Sequence, residues 1–378
     1  MNKLLIYLIL PAVLLACGQT PVPDPVVNPE PEPSRPEVVT PAFAKGADIS
    51  WLSEMEHDGK TFKKADGTQA DLLDVLKDCG INAIRLRVWV DPYKGWSGKD
   101  DVVALAKRVK AAGMALMVDF HYSDFFADPS RQVVPSAWTG DKDHLDKMCT
   151  HVADHTTEVL EALKDAGVSP AWIQVGNETR NGMLWPTGQL WTDKGDIKDG
   201  RKHFAQLYNA GYDAAKAVFP EALVMPHLNN AYEDNGWWFQ QIKAEGGKFD
   251  AIALSHYPQA EKNMSASQYN QQALSRIKAL YNTYKIPVFV SEVGVMPSKA
   301  DAATVLQSFM TELRKIDGCK GVFYWEPEVY GNWKPAVYGM PEELTRLTGT
   351  KQGIWGAYNQ GAFNSDGSPS DIMNAFKD

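Results

Sequence analysis

Ile173-Gln174-Val175-Gly176-Asn177-Glu178 and Val288-Phe289-Val290-Ser291-Glu292-Val293-Gly294 are short apolar runs, each leading into a glutamate. Both are rich in β-branched residues and bounded by breakers, so they read as buried parallel strands. Runs of the same kind recur along the chain: Gly46–Ser50, Ala83–Val88, Ala115–Phe120, Trp172–Gly176, Leu223–Pro226, Ala251–Leu254, Val288–Ser291 and Gly321–Trp325. Between them lie helix-like stretches: Ala70–Lys77, Asp100–Ala112, Asp143–Ala166, Asp199–Val218, Asn235–Glu245, Ser267–Tyr284 and Asp301–Lys315, with a last one over Ser370–Lys377. In Asp143–Ala166, the spacing of Leu145, Met148, Val152, Val159, Leu160 and Leu163 follows a 3.6-residue period. Gly80, Gly113 and Gly167 fall where a helix must stop before the next strand. Strand–helix units repeated in this way predict an α/β fold, a (β/α)8 TIM barrel. A doubly wound open sheet is the alternative, but no G-x-G-x-x-G follows the first run.

The start of the chain carries a different signal. Residues 1–16 have a lone Lys3 before an apolar stretch too short to span a bilayer comfortably, as a signal peptide does. Leu14-Leu15-Ala16-Cys17 resembles a bacterial lipobox, which implies cleavage before Cys17 and lipidation of its sulfur. Gly18 follows rather than Asp, which by analogy with lipoprotein sorting points to the outer membrane. Residues 17–42 form a Pro-rich linker: eight of the 21 residues from Pro21 to Pro41 are proline. Such a segment cannot bury a core and extends as a stalk of up to about 65 Å at about 3.1 Å per residue. Residues 43–378 are then one catalytic domain, expected to be monomeric.

A net charge of −9 argues against a nucleic-acid partner. Cys79, Cys149 and Cys319 show no metal-binding spacing, and none is expected to be functional. The 12 Trp and 14 Tyr are more telling, because many of the tryptophans stand among Gly, Pro and Asn, where a ring is free to stack on a sugar.

In a barrel the functional groups gather at the C-terminal ends of the strands. Each run here leads into polar or aromatic residues: Asp48 and Trp51; Arg85, Arg87 and Trp89; His121 and Asp124; Asn177 and Glu178; His227; His256 and Tyr257; Glu292; Trp325 and Glu326. A lone strand-end glutamate is commonly a cap or an ion-pair partner. Two of them on separate strands supply the general acid/base and the nucleophile that a retaining glycosidase needs. The acid must hold its proton near neutral pH; the nucleophile must stay ionised beside a cation or hydrogen-bond donor, for which Arg87 and Tyr257 are the candidates.

Gly46-Ala47-Asp48-Ile49-Ser50, Arg85-Leu86-Arg87-Val88-Trp89, Asp119-Phe120-His121-Tyr122-Ser123-Asp124 and Gln174-Val175-Gly176-Asn177-Glu178 are similar to the motifs of glycoside hydrolase family 53 in clan A, over about residues 45–375. That family comprises endo-β-1,4-galactanases acting on type I arabinogalactan. The resemblance implies Glu178 as acid/base and Glu292 as nucleophile. It implies substrate contacts from Asp48, Arg87, Trp89, His121, Asp124, Asn177 (to the sugar 2-hydroxyl), His256, Tyr257, Trp325 and Trp355. Trp51, Trp138 and Trp333 are further stacking candidates. The partners implied are β-1,4-galactan and galacto-oligosaccharides. No cofactor is required; some bacterial members bind a structural calcium after strands 7 and 8, but Val295–Ala300 offers no carboxylate for one. The long segment Glu326–Gly361 is expected to build a wall of the groove. Another clan A endo-glycanase, a mannanase or glucanase, is the nearest alternative. A catalytically inert glycan-binding lipoprotein would have lost one of the two glutamates.

Overall fold

The structure, a computed structural model, describes residues 40–258, 264–349 and 360–377. The signal segment, Cys17, nearly all of the linker, and Trp355 lie outside the described residues.

Eight parallel strands form the barrel: β1 (Ala44–Asp48), β2 (Ala83–Val88), β3 (Ala115–Phe120), β4 (Trp172–Val175), β5 (Leu223–Met225 continued by His227–Leu228), β6 (Ile252–His256), β7 (Val288–Val293) and β8 (Cys319–Trp325). Pro226, which has no N–H to give the ladder, splits β5. Its first segment pairs with β4 and its second with β6, so the two halves of β5 close the ring. The helices are α1 (Leu52–His57), α2 (Leu72–Asp78), α3 (Lys99–Ala111), α4 (Leu145–Asp165), α5 (Gly200–Val218), α6 (Gly236–Ala244), α7 (Ala266–Tyr284), α8 (Ala302–Leu313) and α9 (Pro341–Thr348). The expected C-terminal helix is a 3-10 turn over Asp371–Phe376, and α9 arises inside the long segment after β8.

Local chemistry accounts for the helix ends. The Asp71 carboxylate accepts the Leu73 N–H to start α2, and Ser265 and Gln268 form a reciprocal capping box on α7. Gly80, Gly113 and Gly167 take φ of 91°, 70° and 71° just beyond α2, α3 and α4. At Gly80 the requirement is double, because a Cβ would also lie 2.4 Å from the Phe376 carbonyl oxygen.

Strand alternation sorts the barrel into two surfaces. Ile84, Leu86 and Val88 of β2, Ile173 and Val175 of β4, and Leu254 of β6 point outward to the helices. Inward, the floor is apolar: Trp172 meets Phe289 and Phe323 edge-on at 5.4 and 5.9 Å. Above it stand the buried polar side chains of Asp48, Arg85, Asp119, Gln174, His227 and Ser255. The floor excludes water from below, so charges above it interact in a low dielectric.

Strand β7 departs from simple alternation. Val290 pairs with Leu254 of β6, yet Ser255 pairs with Glu292, which leaves Ser291 as an extra residue. Counted in twos from inward-facing Phe289, Ser291 would face the interior and Glu292 the helices. The bulge reverses that and turns Glu292 into the barrel, a re-aiming for which bulges are known.

Candidate active site

Arg85 is the hub of the polar layer. It is buried, and its guanidinium reaches five partners: Asp48 Oδ2 (2.6 Å), Asp119 Oδ2 (2.8 Å), Asn177 Oδ1 (2.9 Å), Gln174 Oε1 (3.0 Å) and Glu292 Oε1 (2.9 Å). Three buried carboxylates around one cation hold each other's charge only because the fork geometry satisfies them all. Burial alone would raise Asp119, but Arg85 and His121 together bring it below the ordinary carboxylate range. His121 Nδ1 accepts the Ala127 N–H at 3.0 Å, so the proton sits on Nε2, 2.9 Å from Asp119 Oδ2.

His227 is fully buried at the end of β5. Burial, then the nearby Arg85, depresses it far below the usual histidine range, so the ring is neutral. Nδ1 lies 2.8 Å from Asn177 Oδ1 and 3.3 Å from the Glu178 backbone nitrogen, and Nε2 lies 2.8 Å from Ser255 Oγ. Asn177 Oδ1 accepts from Arg85, while Nδ2 gives one hydrogen to the Ala127 carbonyl at 2.8 Å and keeps the other.

A Glu178 carboxylate oxygen, a His227 ring nitrogen and a Glu292 carboxylate oxygen all lie within 4.8 Å of one another. Glu178 leaves β4 with φ of 47°, a left-handed conformation costing roughly 1–2 kcal/mol in a non-glycine residue. Tyr122, Asn230 and Glu326 do the same beyond β3, β5 and β8. The two carboxyl environments differ. Glu178 is pushed well up by burial and then by the charge of Glu292. Burial raises Glu292 too, but Arg85 and the Tyr257 hydroxyl, which donates to Oε2 at 2.8 Å, pull against it. The pair therefore holds one proton on Glu178 and one negative charge on Glu292.

Arg87 sits above Arg85 on the same face of β2. It pairs with Glu326 Oε1 at 2.6 Å and lies under the rings of Trp51, Trp89 and Phe126 at 4.1, 4.6 and 4.8 Å. Burial nevertheless pushes Glu326 up to about 8. The segment after β8 covers this cluster: Trp333 packs edge-on against Trp51, and Tyr338 against Phe125.

Several expectations need correction. The cation beside Glu292 is Arg85; Arg87 is turned to Glu326. His256 faces away from the barrel interior, bonding Asn270 Oδ1 at 2.8 Å and packing on Phe309, because alternation in β6 turns Ser255 inward and the next residue out. Asp124 braces loops: its carboxylate accepts from the backbone of Asp91 and Ser136 and from the Ser136 hydroxyl. Asp48 holds Arg85 and Ser50 from below. Trp51, Trp89 and Trp333 are buried against one another's cluster, and Trp138 is stacked on His151. Trp325 is edge-on to Tyr257, whose hydroxyl bonds Glu292, at 6.4 Å and to Phe126 at 6.1 Å. From sequence, Arg85 and His227 stand at the rim and Asp119 and Gln174 in the family motifs, but none of them, nor Ser255, is given a role in the site. The available signal was period-two spacing, since Arg85 and Arg87 must share a face, as must Ser255 and Tyr257.

Glu178, His227 and Glu292 form the one group among the described residues spaced to hold a metal ion. The donor set does not suit one. Both His227 nitrogens are engaged, and Arg85 already brings a positive charge to Glu292. Cys79 and Cys319 are buried and Cys149 half-buried, and burial raises all three thiols to about 11 or 12. They are not thiolates.

Two carboxyls above a dry barrel floor, one kept protonated and one charged, form acid–base equipment for splitting a glycosidic bond. Comparison with known proteins agrees. An arabinogalactan endo-β-1,4-galactanase of Thermothelomyces thermophilus is 29% identical over 75% of this chain and 89% of its own. A probable arabinogalactan endo-β-1,4-galactanase A of Aspergillus terreus is 32% identical over 75% of this chain and 85% of its own. A solved fungal β-1,4-galactanase superimposes with a TM-score of 0.72 at 24% identity, over 88% of this chain and 98% of the other, and shares the fold. The profile described as Glycosyl hydrolase family 53 matches residues 44–303, and the chain belongs to that family of glycoside hydrolases.

Proposed function

We propose that the protein is a retaining endo-β-1,4-galactanase that cuts galactan and type I arabinogalactan into galacto-oligosaccharides. The observation that carries the reading is the 4.8 Å bound on the Glu178 and Glu292 oxygens. Retaining enzymes hold their carboxyls about 5–5.5 Å apart, whereas inverting ones leave about 6.5–9.5 Å for a water. The galactan substrate is supported by the relatives' names.

In this mechanism Glu292 Oε attacks the anomeric carbon while Glu178 passes its proton to the departing oxygen. Glu178, now a carboxylate, draws a proton from water, which attacks the galactosyl-enzyme ester from the opposite face. The sugar leaves with its original configuration and both glutamates are restored. The free Asn177 amide hydrogen serves the 2-hydroxyl, and Trp325 lies under the sugar at the cleavage point. Side chains supply every step, so no cofactor is required.

The test is a product profile of the domain from residue 43 on linear β-1,4-galactan, β-mannan and cellulose. Short galacto-oligosaccharides from galactan alone are expected. Cleavage of mannan or cellulose in its place would move the enzyme to another clan A specificity.

We further propose that the protein is a monomer held at the outer membrane by lipid on Cys17, with the Pro-rich stalk as spacer. The lipobox-like Leu14-Leu15-Ala16-Cys17 supports this. Labelled palmitate should enter the wild-type protein and not a Cys17→Ser variant; equal labelling of both would refute the anchor.

A further inference from the structure

The adjacent tryptophans of α6 part company. Trp238 is buried, with Nε1 donating to the Arg180 carbonyl at 2.9 Å. Trp237 is half-buried and faces outward. It forms one wall of an open groove of 660 Å³ between α6 and α7, within the roughly 300–1,000 Å³ of small-ligand sites. Tyr284 lines the groove too, its ring fixed by a hydrogen bond from the hydroxyl to the Gly236 carbonyl at 3.2 Å. The indole is also held in place, by the Trp191 ring at 6.1 Å and the Arg180 guanidinium at 5.9 Å, and Arg180 is itself ion-paired to Glu233.

Along the groove stand Asp234, Gln240, Lys243 and Thr283, all exposed. A fixed aromatic face flanked by both donors and acceptors matches a sugar ring, which offers a C–H face and a rim of hydroxyls. Asp234 and Lys243 oppose each other in charge, and the chain as a whole is acidic, so a polyanion finds no attraction here. None of these groove residues contributes to the carboxylate pair.

We propose that the α6–α7 groove is a second carbohydrate-binding surface, in which Trp237 stacks a sugar ring of the neutral β-linked galactan that the cleft cuts. This rests on the galactan reading of the active site. A polymer held on the barrel flank stays at high local concentration near the cleft between cuts, which a short oligosaccharide cannot exploit.

The experiment compares the wild-type enzyme with Trp237→Ala and with the double variant Gln240→Ala, Lys243→Ala, whose two exposed positions spare the fold. Migration through gels containing linear galactan measures polymer affinity, and kcat/KM is taken on a short galacto-oligosaccharide. Retention by the polymer should weaken about tenfold for Trp237→Ala and severalfold for the double variant, with oligosaccharide turnover unchanged in both. Undiminished retention in both variants overturns the proposal, as does equal loss on polymer and oligosaccharide. If wild type is retained by mannan or cellulose and not galactan, the substrate reading fails, and the same comparison on that polymer decides the groove.

Discussion

Glu292→Ala should cut turnover by about 10⁴-fold or more, the scale of losing a covalent nucleophile, while the barrel stays folded. Removing one carboxylate from the Arg85 hub leaves the guanidinium with Asp48 and Asp119, so the buried cation keeps its counter-charges. Azide makes the result diagnostic. In Glu292→Ala the vacated space admits azide to the nucleophile's face, where a single displacement yields the α-galactosyl azide from an activated β-galactoside. In Glu178→Ala the ester still forms on Glu292 when the leaving group needs no proton. Azide then attacks from the other side and yields the β-azide. Opposite anomers from the two variants assign the two roles; the same anomer from both, or near wild-type turnover of Glu292→Ala, removes the assignment. In the parent enzyme the acidic limb of kcat/KM should follow protonation of Glu292 and the basic limb loss of the Glu178 proton. Both raised directions place that window above the ordinary carboxylate range.

The barrel and its rim were legible in the sequence because they depend on period and composition. Apolar runs alternating with 3.6-period stretches and glycine stops predict strand–helix units. What stayed hidden depends on parity within a strand. Arg85 and Arg87 share a face, and nothing in Arg85-Leu86-Arg87 says which meets the nucleophile; the depth of each in the barrel decides it. His256 reads as a rim residue when the strand is taken as the apolar run Ala251–Leu254. Pairing instead extends β6 to His256, so alternation sends that ring to Phe309 and Ser255 to the site. Glu292 is the reverse case. Simple alternation from Phe289 would point it outward, and the extra residue at Ser291 brings it in. A bulge is a property of two strands in register, so one strand's sequence does not display it. Trp89 and Trp51 misled for a similar reason. Tryptophans at a rim suggest sugar platforms, but here they cover the Arg87 guanidinium.

Arg85→Met should be the most damaging single change outside the two glutamates. It keeps an unbranched apolar stem and removes the cation that Asp48, Asp119 and Glu292 face. Breaking a buried ion cluster from one side costs about 3–5 kcal/mol, because the remaining charges are left without compensation. The loss has a sign in pH. Without Arg85, burial raises the folded-state pKa values of Asp119 and Glu292 above their unfolded values. Their contribution to stability is then intact below the unfolded pKa and lost as pH rises through the folded one. The variant should therefore unfold at a temperature nearer wild type at pH 5 than at pH 8. Catalysis should move the same way: Glu292 loses the partner that opposes its burial, so the acidic limb of kcat/KM shifts to higher pH. Arg85→Lys restores a charge without the planar fork, and one ammonium cannot reach all five acceptors. It should recover most of the stability and little of the activity. An Arg85→Met enzyme with an unmoved acidic limb and equal destabilisation at both pH values would show that Arg85 only fills space, and the charge of Glu292 would then need another source.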